Sequence, residues 1–156
     1  MGLPPWRGSF VSLFTFVAVF AALHTASGAV EQDIQGAWRA DTYVLASGAS
    51  HTVAGAIFFT ATDWMVLFFV LDQEKIARRG SAEGGTYTLE GDNLTFRHRY
   101  NLSAGEEMEG LPASALLMQI RDATGEAVEP CTIELSAREL TIHFPSGNRM
   151  IFLKSS

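Results

Sequence analysis

A histidine among apolar residues is the clearest candidate for chemistry in the sequence. His98 lies in the stretch Leu94–Leu102, where every second residue is apolar or aromatic, and such alternation is typical of a β-strand with one buried face. This pattern places Phe96, His98 and Tyr100 on the same face. Burying an imidazole costs free energy unless it has a polar partner. The stretch therefore predicts either a polar anchor in an apolar binding pocket or a core histidine hydrogen-bonded to a neighbour.

Two classes of function can use this pair of polar residues. In a binding protein, His98 and Tyr100 would orient a small hydrophobic or amphipathic molecule. In an enzyme such as an isomerase or cyclase, His98 would act as acid or base with help from Tyr100. No other residue is a catalytic candidate, so we favour binding. The residues that we expect to bind the ligand are Phe58, Trp64, Phe96, His98, Tyr100 and Met118.

Signatures of metal, cofactor and nucleotide sites are missing from the sequence. His51, His98 and His143 are too far apart to form a recognisable metal motif, and Cys131 is the only cysteine. No glycine-rich phosphate loop is present. Acidic residues outnumber basic ones by 17 to 11, which argues against a nucleic-acid partner. We therefore expect no metal and no cofactor.

Residues 1–29 have the composition of a signal peptide. Arg7 supplies the positive charge, and an apolar run from 10 to 23 leads to a cleavage zone of small residues. The run is shorter than the roughly 20 residues that span a membrane, so we expect cleavage after Gly28 or Ala29 instead of retention as an anchor. The mature protein would then be secreted or periplasmic, without stable membrane insertion. Losing Arg7 changes its formal charge from -6 to -7.

Residues 30–156 are predicted to form one domain of short β-strands. The apolar run 53–71 is broken by the polar residues 60–63, which favours two strands joined by a turn over one buried helix. Strands at near-regular spacing, without a helical period, predict an all-β fold with a single up-and-down antiparallel barrel of about eight strands. The segment 64–71 is apolar on both faces, so a homodimer remains an alternative, as does an interaction module with a filled core.

The triplet Gly36-Ala37-Trp38, near the start of the mature chain, resembles the Gly-x-Trp signature of lipocalin-like proteins of the calycin superfamily, in particular small secreted bacterial members. The resemblance implies a barrel that binds a hydrophobic ligand and is closed at one end by Trp38. It also implies that Arg149, on the last strand, packs across the indole ring through a cation–π contact. In this comparison Gly36, Trp38 and Arg149 are structural. The chain lacks the Thr-Asp-Tyr motif, the disulfide pair and the C-terminal helix of typical lipocalins, which favours a divergent lipocalin-like module.

Overall fold

The computed structural model describes residues 33–155, which form an all-β domain of nine strands. The predicted signal peptide, 1–29, lies outside the described residues. Within 33–155 there is no helix with the length and apolar character needed to cross a membrane. The strands are β1 (Gly36–Val44), β2 (Ser50–Phe59), β3 (Asp63–Leu71), β4 (Ala77–Glu90), β5 (Asn93–Gly105), β6 (Ser114–Ile120), β7 (Ala127–Leu135), β8 (Glu139–His143) and β9 (Arg149–Lys154).

Eight of the strands close into an antiparallel barrel. Strands β1 to β5 each pair with the next, β5 pairs with β7, β7 with β8 and β8 with β9, and β9 returns to β1. The predicted all-β fold with an eight-stranded antiparallel barrel is confirmed. The apolar run 53–71 forms parts of β2 and β3, and the turn between them is closed by a hydrogen bond from Thr60 N to Asp63 O at 2.8 Å.

Strand β6 lies beyond β7 on the same edge of β5. The first part of β5, 93–98, pairs with β7, whereas the second part, 100–105, pairs with β6. Between β6 and β7 the chain makes a short excursion, 121–126, which begins with a hydrogen bond from Arg121 N to Arg99 O at 2.8 Å. Strands β6 and β7 are thus two halves of one interrupted strand. In the described part of the chain β6 pairs with β5 alone, so its other edge is unpaired.

A β-bulge in β5 changes which of its side chains face the interior. His98 pairs with Gly85 and Tyr100 pairs with Gly84, so Arg99 is an extra residue between two consecutive positions of β4. Glycine is required at position 85 because a Cβ there would lie 1.9 Å from a carbonyl oxygen of β5. The close approach of the two backbones at the bulge therefore depends on a residue without a side chain.

The bulge corrects the predicted face of Tyr100. Before the bulge, Phe96 and His98 point inward and are buried. After it, Tyr100 and Leu102 point outward and are about half exposed. Asn101, between them, turns towards the cavity described below. The alternation rule assigned Tyr100 to the same face as His98. That assignment fails because one extra residue reverses the side-chain direction of everything that follows it in the strand.

At one end of the barrel, Trp38 is packed in the hydrophobic core. Its side chain is 2% exposed, and its Nε1 donates a hydrogen bond to Ile34 O at 2.8 Å. Gly36, at the start of β1, has a φ of 108°, which favours glycine. The cation over the indole ring is Lys154, with Nζ 4.2 Å from the ring centroid, and not Arg149 as expected. Lys154 pairs directly with Trp38, whereas Arg149 pairs with the opposite end of β1.

At the opposite end, the acidic segment 106–113 folds against the barrel. The ring nitrogen Nε2 of His51 lies 2.9 Å from one of its carbonyl oxygens, and Arg79 donates hydrogen bonds to two others at 2.6 and 2.7 Å. Met108 and Leu111 form a β-bridge with each other and pack against the core. The segment therefore covers this end of the barrel.

Candidate ligand-binding site in the barrel

The barrel contains a cavity of about 610 Å³ with an apolar part and a polar wall. Its apolar part is formed by buried side chains from five strands. Three charged residues of the polar wall, Glu83, His98 and Glu129, come from β4, β5 and β7. The apolar residues include Ile57, Trp64, Val66, Phe96, Ile142, Met150 and Phe152.

Three neighbouring strands bring the polar residues together. His98 lies on the central strand, β5, where it pairs with Gly85 of β4 and Ala127 of β7. Glu83 and Glu129 are each two positions away from these partners on the same face, so both are diagonal neighbours of His98. His98 Nδ1 lies 2.9 Å from Glu83 Oε2, and His98 Nε2 lies 3.1 Å from Glu129 Oε2. Each ring nitrogen therefore has its own carboxylate.

The two carboxylates hold the imidazole in its protonated form. Burial lowers the pKa of His98, but the hydrogen bonds to Glu129 and Glu83 and the charges of both carboxylates raise it, with a net pKa of about 9. Burial raises the pKa of Glu83, while hydrogen bonds from His98 and Ser81 lower it, and the net direction is downward. At neutral pH the cluster thus consists of one imidazolium and two carboxylates, a net charge of -1.

Aromatic rings fix the orientation of the imidazole. The ring of Trp64 lies edge-on to His98, with centroids 5.1 Å apart and planes at 86°, and it packs against Phe96 at 4.2 Å. Trp64 Nε1 in turn donates to Thr86 O at 3.1 Å. His98 is therefore a core histidine with polar partners, and it also lines the cavity.

The excursion 121–126 contributes to the rim of the cavity. Arg99, the extra residue of the bulge, forms an ion pair with Glu126 and so ties the excursion to β5. Arg121 lines the cavity, and its guanidinium donates a hydrogen bond to Gln119. The bulge thus reverses the direction of the side chains in the second part of β5, and its extra residue anchors the excursion beside the cavity.

Half of the residues expected to bind a ligand line the cavity. Trp64, Phe96 and His98 do so. Phe58, Tyr100 and Met118 lie on the outer surface, with 51%, 51% and 73% of each residue exposed. Phe58 points outward because its neighbour in β2 fills the core, Tyr100 follows the bulge, and Met118 pairs with an outward-facing residue of β5.

The sequence interpretation missed Glu83 and Glu129. Their segments, 80–85 and 122–130, are rich in glycine and polar residues, a composition typical of loops and not of strands. A signal for Glu129 was nevertheless available, because the alternation of Cys131 and Ile133 places it on the same inward face when the strand is extended by two residues. The buried His98 also required a polar partner, which an inward-facing glutamate supplies.

The arrangement does not suit His98 for the role of a general base. Both nitrogens of His98 are occupied, and a pKa of about 9 keeps the ring protonated at neutral pH, where it cannot accept a proton. Tyr100, its expected assistant, lies outside the barrel. Among residues 33–155, no group of three or more His, Cys, Asp or Glu side chains is placed to hold a metal ion.

The strand pairing determines the fold type. A closed antiparallel barrel of eight strands in sequential order is the architecture of the lipocalins. The fold is lipocalin-like. No family model and no curated protein sequence matches the chain. Among solved structures, the chain is similar to a lipocalin-like protein from Bacteroides uniformis, with 17% sequence identity and a TM-score of 0.46, over 80% of this chain and 100% of that chain.

Proposed function

We propose that this protein is a secreted or periplasmic binding protein that holds a small hydrophobic or amphipathic molecule inside its barrel. The observation that carries the proposal is the cavity of about 610 Å³, in which buried apolar side chains meet the Glu83–His98–Glu129 cluster. Small-molecule sites commonly measure roughly 300–1,000 Å³ and combine a mostly apolar lining with a few fixed polar groups. Export is supported by the composition of residues 1–29.

The apolar part of the cavity would supply most of the affinity. Trp64, Val66 and Phe96 surround the space with rigid side chains on paired strands. Each Å² of apolar surface removed from water contributes about 25 cal/mol, before the cost of immobilising the ligand is subtracted. Because the strands are held on both sides by neighbours, little of this energy is lost to reorganising the site.

The polar wall would determine the orientation of the ligand. His98 is fixed by a carboxylate at each nitrogen and by the ring of Trp64, so the cluster does not need to be assembled when a ligand enters. A molecule with one polar end would place that end at the cluster and its apolar body against the aromatic rings. The second class of function considered from the sequence, an enzyme, gains no support from the geometry.

The proposal is tested by filling the cavity. In mature protein (residues 30–156), Val66→Phe places a larger side chain in the cavity, whereas Met65→Phe introduces the same side chain at the preceding residue, which points outward. We expect native mass spectrometry of detergent-free protein to show an adduct of low molecular mass, or Nile red to bind. Val66→Phe should abolish this binding and Met65→Phe should retain it.

Circular dichroism would establish that both variants are folded. Equal binding by the two variants would place the ligand outside the barrel. If the unchanged protein neither retains an adduct nor binds Nile red, the proposed function is wrong.

A further inference from the structure

Within the Glu83–His98–Glu129 cluster, both donors of His98 are engaged, whereas the carboxylates can still accept hydrogen bonds. His98 donates from both ring nitrogens, to Glu83 at 2.9 Å and to Glu129 at 3.1 Å. An imidazolium has two N–H donors and no acceptor. Although His98 is a cation, it has no donor left for an anionic ligand, and it has no acceptor for any ligand.

Acceptor capacity remains on the carboxylates. In Glu83, Oε2 accepts from His98 and Oε1 accepts from Ser81 Oγ at 2.9 Å. In Glu129, Oε2 accepts from His98, while no group within residues 33–155 donates to Oε1. The Glu129 side chain is 33% exposed and lines the cavity. A carboxylate has about four acceptor sites, so Glu129 offers the ligand a charged acceptor.

The charges around the cavity favour a positive group next to this acceptor. The charged residues in the lining are Glu83, His98 and Glu129 in the cluster and Arg121 in the excursion. The cluster itself has a net charge of -1, and the compensating positive charge is on Arg121, outside the cluster, where its guanidinium donates one hydrogen bond to Gln119 and keeps further N–H donors. The neighbouring rings of Trp64 and Phe96 also attract cations through their faces.

We infer that the ligand of this cavity is an amphipathic amine, whose ammonium group donates hydrogen bonds to Glu129 and whose apolar body packs against the aromatic rings. This inference rests on the proposed function and specifies its ligand class. A carboxylic acid of the same size would bring its negative charge towards Glu83 and Glu129. At the cluster it would find no donor on His98 to offset the repulsion, and the cation of the lining, Arg121, lies outside the cluster.

The test compares four probes with the same decyl chain by calorimetry at neutral pH, below their micelle-forming concentrations. Decylamine has charge and donors, decyltrimethylammonium has charge without donors, decan-1-ol is neutral, and decanoate is an anion. Charge-assisted hydrogen bonds contribute about 1.5–3 kcal/mol, so we expect decylamine to bind at least about tenfold more tightly than each of the others. Decanoate binding as tightly as decylamine would overturn the inference and leave the proposed function intact. Failure of all four probes and of Nile red would overturn both.

A matched pair of variants locates the contact. Glu129→Gln removes the charge with little change in size. Glu134→Gln makes the same change on the outer face of the same strand, where the Glu134 carboxylate forms an ion pair with His143. We expect Glu129→Gln to weaken decylamine binding about tenfold or more without changing decan-1-ol binding. Glu134→Gln should leave both unchanged. Retained decan-1-ol binding shows that the cavity is intact; an equal loss for both probes in Glu129→Gln would contradict a specific role for the carboxylate.

Discussion

At the scale of single residues, His98 is an element of stability as well as a part of the site. It connects the side chains of Glu83 and Glu129, which lie on two different strands, across the strand between them. Such a bridge requires the protonated imidazole, because only this form donates from both nitrogens. The contribution of His98 to folding therefore depends on pH.

The pH dependence has a defined sign. The pKa of His98 is about 9 in the folded protein and about 6.5 in an unfolded chain. The stability that results from a raised pKa is fully present below the pKa of the unfolded chain. It is lost as the pH rises through the pKa of the folded protein. We expect the free energy of unfolding in urea to fall by up to about 3 kcal/mol between about pH 6.5 and 9. A His98→Gln variant should not show this decline.

Carboxylates produce a second, opposite trend in acid. The pKa of Glu83 is lowered in the folded protein, so the stability that its carboxylate contributes is present above the ordinary pKa of a glutamate and is lost as the pH falls below it.

A free energy of unfolding that stays constant from neutral to alkaline pH in the unchanged protein would contradict the bridge at His98. Parallel profiles for the protein and the His98→Gln variant would do the same.

At the scale of elements, the bulge in β5 decides what faces the cavity. It ends the inward series at His98 and turns Asn101 towards the cavity, and its extra residue, Arg99, anchors the excursion through Glu126. All of this depends on the close approach of β4 at Gly85. The position of the site is therefore set by a backbone feature and not only by the residues that line it.

Substitution of this glycine should be costly. In Gly85→Ala the added Cβ would lie 1.9 Å from Arg97 O, so the backbone must move. We expect a loss of at least about 2 kcal/mol in the free energy of unfolding, and an NMR-measured pKa of His98 closer to its ordinary value because its carboxylate partners shift. Gly125→Ala is the control, since a Cβ there meets an ordinary contact at 3.6 Å. Equal stability of the two variants would show that the bulge does not require glycine.

Local sequence pattern predicted the elements better than it predicted the site. Polar residues 60–63 marked the turn between β2 and β3, and alternation identified β5 up to His98. The segment 80–85 looked like a loop, yet it is part of β4, because pairing with β3 and β5 on both sides overrides the weak strand preference of its glycines. Bulges and diagonal cross-strand contacts depend on register between strands, which no single strand encodes. For this reason the contacts of Glu83 and Glu129 with His98 could not be predicted, although alternation along β7 places Glu129 on the inward face.

At the scale of the whole molecule, one outer face of the barrel is apolar across four strands. Three rows of outward residues on β3, β4, β5 and β6 lie in register, and no residue in these three rows is charged. Small residues on β4 form a trough between larger ones on β3 and β5. The three rows are Met65, Gly84, Tyr100 and Ile120; Leu67, Ala82, Leu102 and Met118; and Phe69, Gly80 and Ala104.

We expect this face to pair with the same face of a second copy. The apolar side chains of β3, β5 and β6 on this face are exposed, and the uncharged rows allow two acidic chains to approach without repulsion at the contact. Exposed apolar patches of this kind mark interaction sites. Light scattering should therefore give the mass of a dimer for residues 30–156. Leu67→Glu should convert it to a monomer, and Thr132→Glu, an exposed change on β7, should leave it dimeric. A monomer at high micromolar concentration would contradict this expectation.

The interrupted strand made by β6 and β7 divides the barrel into parts that should exchange their amide hydrogens at different rates. The first part of β5 is held between β4 and β7, and β7 is itself paired with β8. The second part is held between β4 and β6, whose other edge is unpaired within the described residues. Detachment of β6 alone would unprotect that part while the ring of eight strands stays closed. Fast exchange in the second part of β5 would then report a local, low-energy opening and not global unfolding.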